Sequence, residues 1–438
     1  MEAEQLASER IGPVLHAVIN LGIIQRANVK RQNLFIEPAL VRVNSRKQQT
    51  VAKSNYEIGK RAPEPSRVGA EETTATGVMD DESADVADSS SRQQRHESLK
   101  EAQKNRLAGI DRETLINIYH QMLLVRRFEE KSAEAYSAGK IGGFCHLYIG
   151  QEAVAIGAIS AIRKDDYVLT SYREHAHAIA KGMSPDSVMA ELFGKATGCS
   201  KGKGGSMHMF DKEVNFLGGH AIVGGQIPLA TGVAFASKYK GTDQVTLCFF
   251  GEAAVNQGAF HESLNMAQLW KLPCIYICEN NQYGMGTSLE RAMASQDISQ
   301  KACAYDIAAE FVDGMDVLAV REATLRAVER ARTSYFPTLL EVRTYRFMGH
   351  SMSDPGNYRT RAEIERHQER DPIKLFTASL KEERVMSDSD FQRIEADVKG
   401  QVEHALEFAE QSPLPDPKEL YTDVYANPIV PDSKRGPQ

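Results

Sequence analysis

The chain has 438 residues and a formal net charge of −7. Its 42% hydrophobic and 25% charged residues suit a globular protein that buries a core without disulfide or metal staples. This acidic balance excludes nucleic acid as the main partner, and no stretch reaches the roughly 18–20 apolar residues of a membrane span.

The first apolar run, residues 11–24, is short and carries Pro13, His16 and Asn20. It lacks a basic start and a cleavage site, so no secretory signal is expected. Basic residues from Arg26 to Arg61 resemble an organelle transit segment, but Glu2, Glu4 and Glu9 oppose that reading. The expected location is therefore a bacterial cytoplasm, with the mitochondrial matrix as the alternative. Residues 63–97 are rich in Ser, Glu and Asp. Such a composition buries too little surface to offset ordering entropy. Residues 1–105 are read as a disordered extension with a short helix near 13–24; a small regulatory module is the alternative.

Order is expected from about Asp111, an N-cap for a helix whose apolar face carries Leu115, Ile118, Met122, Leu123 and Phe128, with Gly139 as its stop. Two glycine-rich passages follow, at residues 198–205 and 218–225, and then a small-residue helix over 227–238. The apolar run Val245–Phe250 reads as a strand leading into Gly251-Glu252-Ala253-Ala254. An amphipathic stretch, 260–270, precedes a second strand-like run, 273–278, which leads into Glu279-Asn280-Asn281. Further expected elements are a helix at about 322–335, a strand over 338–345 and a charged helical region over 361–410. A proline-rich tail, 411–438, would wrap a surface or a partner. The expected class is α/β, an open and mostly parallel sheet flanked by helices, with residues 106–410 as the domain.

Strand, helix and strand in that order form a right-handed parallel unit whose two strands end on one edge of the sheet. Ligands bind at that edge in open parallel sheets. Glu252 and Asn281, 29 positions apart, would converge there. Hard oxygen donors beside helix N-termini suit a magnesium ion carrying phosphates. Each residue alone has an ordinary reading, as a first-turn carboxylate or as turn chemistry; the pair at this spacing is more specific. The six cysteines form no CxxC and are read as reduced, with Cys274 and Cys278 on one side of a buried strand. His208, His220 and His261 have no metal-ligand spacing, and Arg126-Arg127 reads as a solvated or interface face. KGKGG, residues 201–205, lacks the spacing of a nucleotide-binding loop and is read as a flexible site or interface loop.

The stretch GEAAVNQGAFHESLNMAQLWKLPCIYICENNQYGMGTS, residues 251–288, resembles the thiamine-diphosphate motif that begins GDG and ends in NN. With HLYIGQEA (146–153), SYREH (171–175), KGKGGSMHMF (201–210) and YRFMGHSMSDPGNYRT (345–360), the chain is similar to the thiamine-diphosphate-dependent 2-oxo acid dehydrogenases. Within them it looks like a pyruvate dehydrogenase alpha subunit, over roughly residues 107–425. The resemblance implies a thiamine-diphosphate-binding fold. It implies decarboxylation of pyruvate, with reductive acetylation of the lipoyl domain of an acetyltransferase component. It further implies a beta subunit, which carries the glutamate that activates the cofactor, in an α2β2 assembly. Branched-chain 2-oxo acid or acetoin dehydrogenases and a non-catalytic scaffold of the same fold are the rival readings.

Matched position by position, the resemblance gives Mg2+ the side chains of Glu252 and Asn281 and the carbonyl of Tyr283. Tyr172 and Arg173 match the pair that reaches the diphosphate. Ala221 and Val223 match the backbone positions that hold the aminopyrimidine, and Ala253 and Ala254 continue the cofactor loop. Met285 matches the apolar wedge beneath the cofactor, and His350 and His146 match the active-site histidines. Ser351 sits where mitochondrial members are phosphorylated. Three departures are expected to matter. Glu252 replaces an Asp, so the ion or loop must shift, while Ala253 and Ala221 replace glycines and would crowd the ligand. His175 and His177 are further candidates to line the pocket.

Overall fold

The computed structural model describes residues 101, 102 and 104–423; the expected extension and the end of the tail lie outside the described residues. Helical structure is already in place at 101–102 and 104–108, ahead of the expected start at Asp111. Leu107 is buried, and Arg106 bonds Asp316 and Glu322 at 2.9 Å each, so this turn is tied to the domain. The first long helix, Arg112–Ser137, begins as expected, with Asp111 Oδ1 accepting from the Thr114 amide at 2.8 Å. It stops where Gly139 takes φ +74°, a conformation that costs glycine little.

Among the described residues eight strands follow: β1 (Tyr167–Ser171), β2 (Phe216–His220), β3 (Thr246–Gly251), β4 (Cys274–Asn280), β5 (Tyr283–Gly284), β6 (Thr287–Ser288), β7 (Ala308–Asp313) and β8 (Thr338–Arg343). Six form one all-parallel sheet in the order β2-β1-β3-β4-β8-β7, and β5 and β6 make a small antiparallel hairpin. The expected α/β class with a parallel, helix-flanked sheet is thus the observed one. Gly251 pairs with Glu279 and Asn280 with Arg343, so β3, β4 and β8 end level.

Alternate residues along the strands serve two cores. Leu247, Phe249, Ile275, Ile277, Leu340 and Val342 face the larger core, with the helices Arg112–Ser137, Glu152–Ile159 and Val317–Ser334. Cys248, Phe250, Cys274, Tyr276 and Cys278 face the other, with the helices Gln226–Lys240 and Gly258–Trp270. Cys274 and Cys278 do share one side of a buried strand, and all six cysteines are free thiols. On the first face the helix Glu152–Ile159 lies so close to its neighbour that a Cβ on Gly157 would come within 2.6 Å of the Val317 carbonyl oxygen.

Other expectations shift. The charged region over 361–410 is three helices, Arg361–Gln368, Pro372–Glu382 and Asp388–Gln411. Pro372 opens one of them and a Ser387–Asp390 capping box the next. The helix expected at 322–335 starts at Val317, because Asp316 caps it through the Leu318 amide at 3.0 Å. Arg126 is internal rather than solvated: it grips buried Glu152 at 2.6 and 3.0 Å and Asp371 at 2.9 Å. Arg127 does face outward, to Glu130 and Glu395. The described part of the tail, residues 412–423, lies on the chain itself, its Pro413 carbonyl accepting from the Ala196 amide at 3.0 Å. Among the described residues no helix is long and apolar enough to cross a membrane.

Candidate active site

From β1 the chain passes to β2 on one side and then returns to β3 on the other. At such a reversal the carboxyl ends of the two strands leave a crevice. A cleft open to solvent lies there. β1 delivers Tyr172 and Arg173 to it, β3 delivers Glu252, Ala253 and Ala254, β4 and its hairpin deliver Asn281, Tyr283 and Met285, and β8 delivers Arg346 and His350.

Glu252 opens a short 3-10 turn directly after β3 and is buried. Its Oε2 accepts from the Asn281 amide at 3.2 Å. Burial pushes its carboxyl above the ordinary glutamate value, against the pull of its own amide, Arg346 and Arg173. Asn281 donates Nδ2 to Gln151 Oε1 at 3.0 Å, which turns its Oδ1 away from Gln151. That Oδ1 is buried and has no protein partner. A buried acceptor of this kind costs free energy unless a ligand satisfies it.

The anion side is as lopsided. Arg173 is buried and spends its guanidinium on carbonyls, Leu147 O at 2.6 Å and His350 O at 2.7 Å. Arg346, also buried, reaches His350 Nδ1 at 2.8 Å, Met285 O at 3.2 Å and the Tyr358 hydroxyl at 3.4 Å. Neither arginine makes a salt bridge among the described residues, and burial holds both below the ordinary arginine value, Arg346 at about 10. Burial first, then Arg173, drives His350 down to about 3 and His146 down to about 2, so both rings are neutral near pH 7. His146, Tyr172 and His350 form an aromatic triangle with ring centroids 4.6, 5.3 and 5.7 Å apart.

The model for the dehydrogenase E1 component family matches residues 120–418. This chain belongs to that family. Among its relatives are proteins named pyruvate dehydrogenase E1 component subunit alpha. That of Rhizobium meliloti is 51% identical over 73% of this chain and 92% of its own length, and that of Rickettsia felis 50% over 72% and 96%. A chloroplastic subunit alpha-3 from Oryza sativa is 46% identical over 75% of this chain and 80% of its own.

In this E1 chain most of the residues singled out from sequence meet in one cleft. Val223 lines it, whereas Ala221 stands at the end of β2, off the lining. His146 is also off the lining and packs behind it on Tyr172 and His350. His175 and His177 lie deeper still, buried, rather than lining the pocket. Ala253 and Ala221 keep ordinary negative φ, so neither alanine strains the backbone as expected of a replaced glycine. Ala253 instead meets the hairpin: a Cβ on Gly284 would stand 2.7 Å from that of Ala253.

Sequence reasoning missed Arg346, Gln151 and Glu279. Arg346 lay inside a quoted motif, but its fully buried guanidinium is a tertiary fact. KGKGG is not a free loop. The amides of Ser200, Gly202, Gly204 and Gly205 converge on the Glu191 carboxylate at 2.8, 2.9, 2.7 and 3.1 Å. Lys203 pairs with Glu419 and Asp423 of the tail at 3.1 Å each. Ser351 is buried, its hydroxyl 2.9 Å from that of Ser353. Among the described residues there is no cluster of three or more His, Cys, Asp and Glu that could hold a metal ion. A magnesium site here would rest on mixed oxygen donors.

Proposed function

We propose that this chain is the alpha subunit of a thiamine-diphosphate-dependent pyruvate dehydrogenase. It would decarboxylate pyruvate and pass the acetyl group to a lipoyl domain of the acetyltransferase component, with a beta subunit completing an α2β2 assembly. The observation that carries the reading is the unpartnered Asn281 Oδ1 beside the buried Glu252 carboxylate, under two buried arginines that lack carboxylate partners. One side of the cleft wants a cation and the other an anion. A magnesium–diphosphate headgroup satisfies both.

The residues present fit that group. Glu252, Asn281 Oδ1 and the Tyr283 carbonyl supply hard oxygen donors to Mg2+. Arg173 and Tyr172, joined by Arg346, would hold the diphosphate. Val223 would offer backbone to the aminopyrimidine, with Ala253 and Ala254 at its loop and Met285 as the apolar support; Ala221, off the lining, would not reach it. Bound thiamine diphosphate supplies the nucleophilic carbon and electron sink that decarboxylation needs. The protein's part is to hold, orient and exclude water. The neutral His350 ring at the lining, backed by the neutral His146 ring, adds no charge, so the arginines remain the cations of the site.

The mouth favours a partner. Ile222, Val223 and Met285 are 76%, 42% and 67% exposed at its rim. Apolar surface gathered at a site marks an interface. The test is calorimetric titration of the αβ complex with thiamine diphosphate and Mg2+, followed by turnover. Saturable binding and a kcat/KM for pyruvate above those for 2-oxobutyrate and 3-methyl-2-oxobutanoate are expected. A higher value for the branched acid moves the assignment to that sister enzyme, and no binding makes the chain a scaffold.

A further inference from the structure

Behind the cleft lies a buried Ser–His–Glu chain that the reaction described above does not use. Glu129 projects from the helix Arg112–Ser137, His175 opens the helix after Glu174, and Ser206 closes the glycine-rich loop. All three are buried. His175 Nδ1 is 2.9 Å from Glu129 Oε2, and its Nε2 is 2.9 Å from Ser206 Oγ. With Nδ1 donating to the carboxylate, Nε2 accepts from the Ser206 hydroxyl. The serine oxygen keeps its lone pairs and accepts the His146 amide at 3.2 Å. Glu129 uses its other oxygen, Oε1, to accept the Tyr148 amide at 2.9 Å.

Both ends of this chain therefore grip one segment, His146–Tyr148. Arg173 grips its middle, through the Leu147 carbonyl at 2.6 Å. The side chains set by that grip point at the site. The His146 ring packs on Tyr172 and His350. The Tyr148 hydroxyl donates to Glu279, which lines the cleft. Ser206 is too enclosed to act as a nucleophile, so the familiar three-residue geometry has no substrate to attack.

We propose that Glu129, His175 and Ser206 are positioning residues: their hydrogen-bonded chain fixes His146 and Tyr148 for the reaction. The inference rests on the reading of the cleft as the cofactor site. The test uses the αβ complex with thiamine diphosphate, Mg2+ and pyruvate. Ser206→Ala should leave cofactor affinity and pyruvate KM within roughly threefold, while kcat falls roughly ten- to hundredfold, the scale of a small misplacement of a working group. A residue that acts through His146 has nothing left to lose once His146 is gone. The Ser206→Ala loss should therefore disappear in a His146→Ala background. Should the Ser206→Ala chain fail to assemble, His175→Gln, at the other end of the same bond, carries the same expectation. Unchanged kcat, or losses that multiply in the double variant, overturn the proposal. Failure of the unaltered complex to bind thiamine diphosphate is a different result; it removes the reading of the cleft and this inference with it.

Discussion

Asn281 holds its carboxamide in one orientation because Gln151 takes its N–H, and this leaves Oδ1 aimed at an unmet need. Asn281→Leu should cost at least roughly tenfold in affinity for Mg2+–thiamine diphosphate, the usual scale for loss of a metal-site partner. Stability of the cofactor-free protein should move by less than about 2 kcal/mol, because one orphan acceptor vanishes while Gln151 loses a donor. Calorimetry and denaturant unfolding together check this; unchanged affinity would remove Asn281 from the metal site. The neutral histidines give a second residue-scale prediction. Burial and Arg173 hold His146 near 2 and His350 near 3, far below the 6.5 of a free ring. The unfolded chain thus takes up protons below about pH 6.5 that the folded chain refuses. Their contribution is fully present above that pH and is lost progressively as pH falls toward the folded values. Cofactor-free protein should lose more stability between pH 7 and pH 5 than a His146→Gln/His350→Gln double variant does. Equal losses would contradict it.

The contact between the turn after β3 and the β5–β6 hairpin decides how the departures from the family motif are accommodated. Ala253 fills the space that a side chain on Gly284 would need, since the two Cβ atoms would stand 2.7 Å apart. Gly284→Ala should therefore push the Glu252 turn and weaken cofactor binding, and adding Ala253→Gly should restore it. If the double variant binds no better than Gly284→Ala alone, the two elements are not coupled in this way. Elements also mark how far the sequence could be read. β3 and β4 were legible because each is a continuous apolar run buried on both faces. β1 is only five residues, and β2 carries Gly218-Gly219, which read as loop. β7, half-exposed at the sheet edge, gives no clear period. In the cleft, Glu252 and Asn281 were legible because each follows a strand-like apolar run, whereas Tyr172 and Arg173 were legible only through the motif that resembles the family's. Arg346 and Gln151 become visible only when distant segments close on each other, and Ala221 falls off the lining because matching a motif does not fix a loop's path.

At the scale of the whole molecule, the cleft opens through an apolar rim, and a second apolar ridge lies on the paired helices Gln226–Lys240 and Gly258–Trp270. There Phe235 stacks on Tyr239 and meets Trp270 at a tilt, with all three exposed. Exposed aromatic surface gathered in this way is the kind that interfaces cover. Purified alone and supplied with cofactor, Mg2+, pyruvate and an artificial electron acceptor, the chain should show no turnover above background; adding the cognate beta subunit should restore it. Activity of the isolated chain would refute the shared-site reading. The nest of amides around Glu191 has a consequence of its own. Four N–H groups that could have captured a nucleotide or free phosphate already hold a carboxylate tethered to the neighbouring helix. Metabolites at cellular concentrations would have to evict a resident that never diffuses away. The anion site of that loop is therefore filled from within the chain itself.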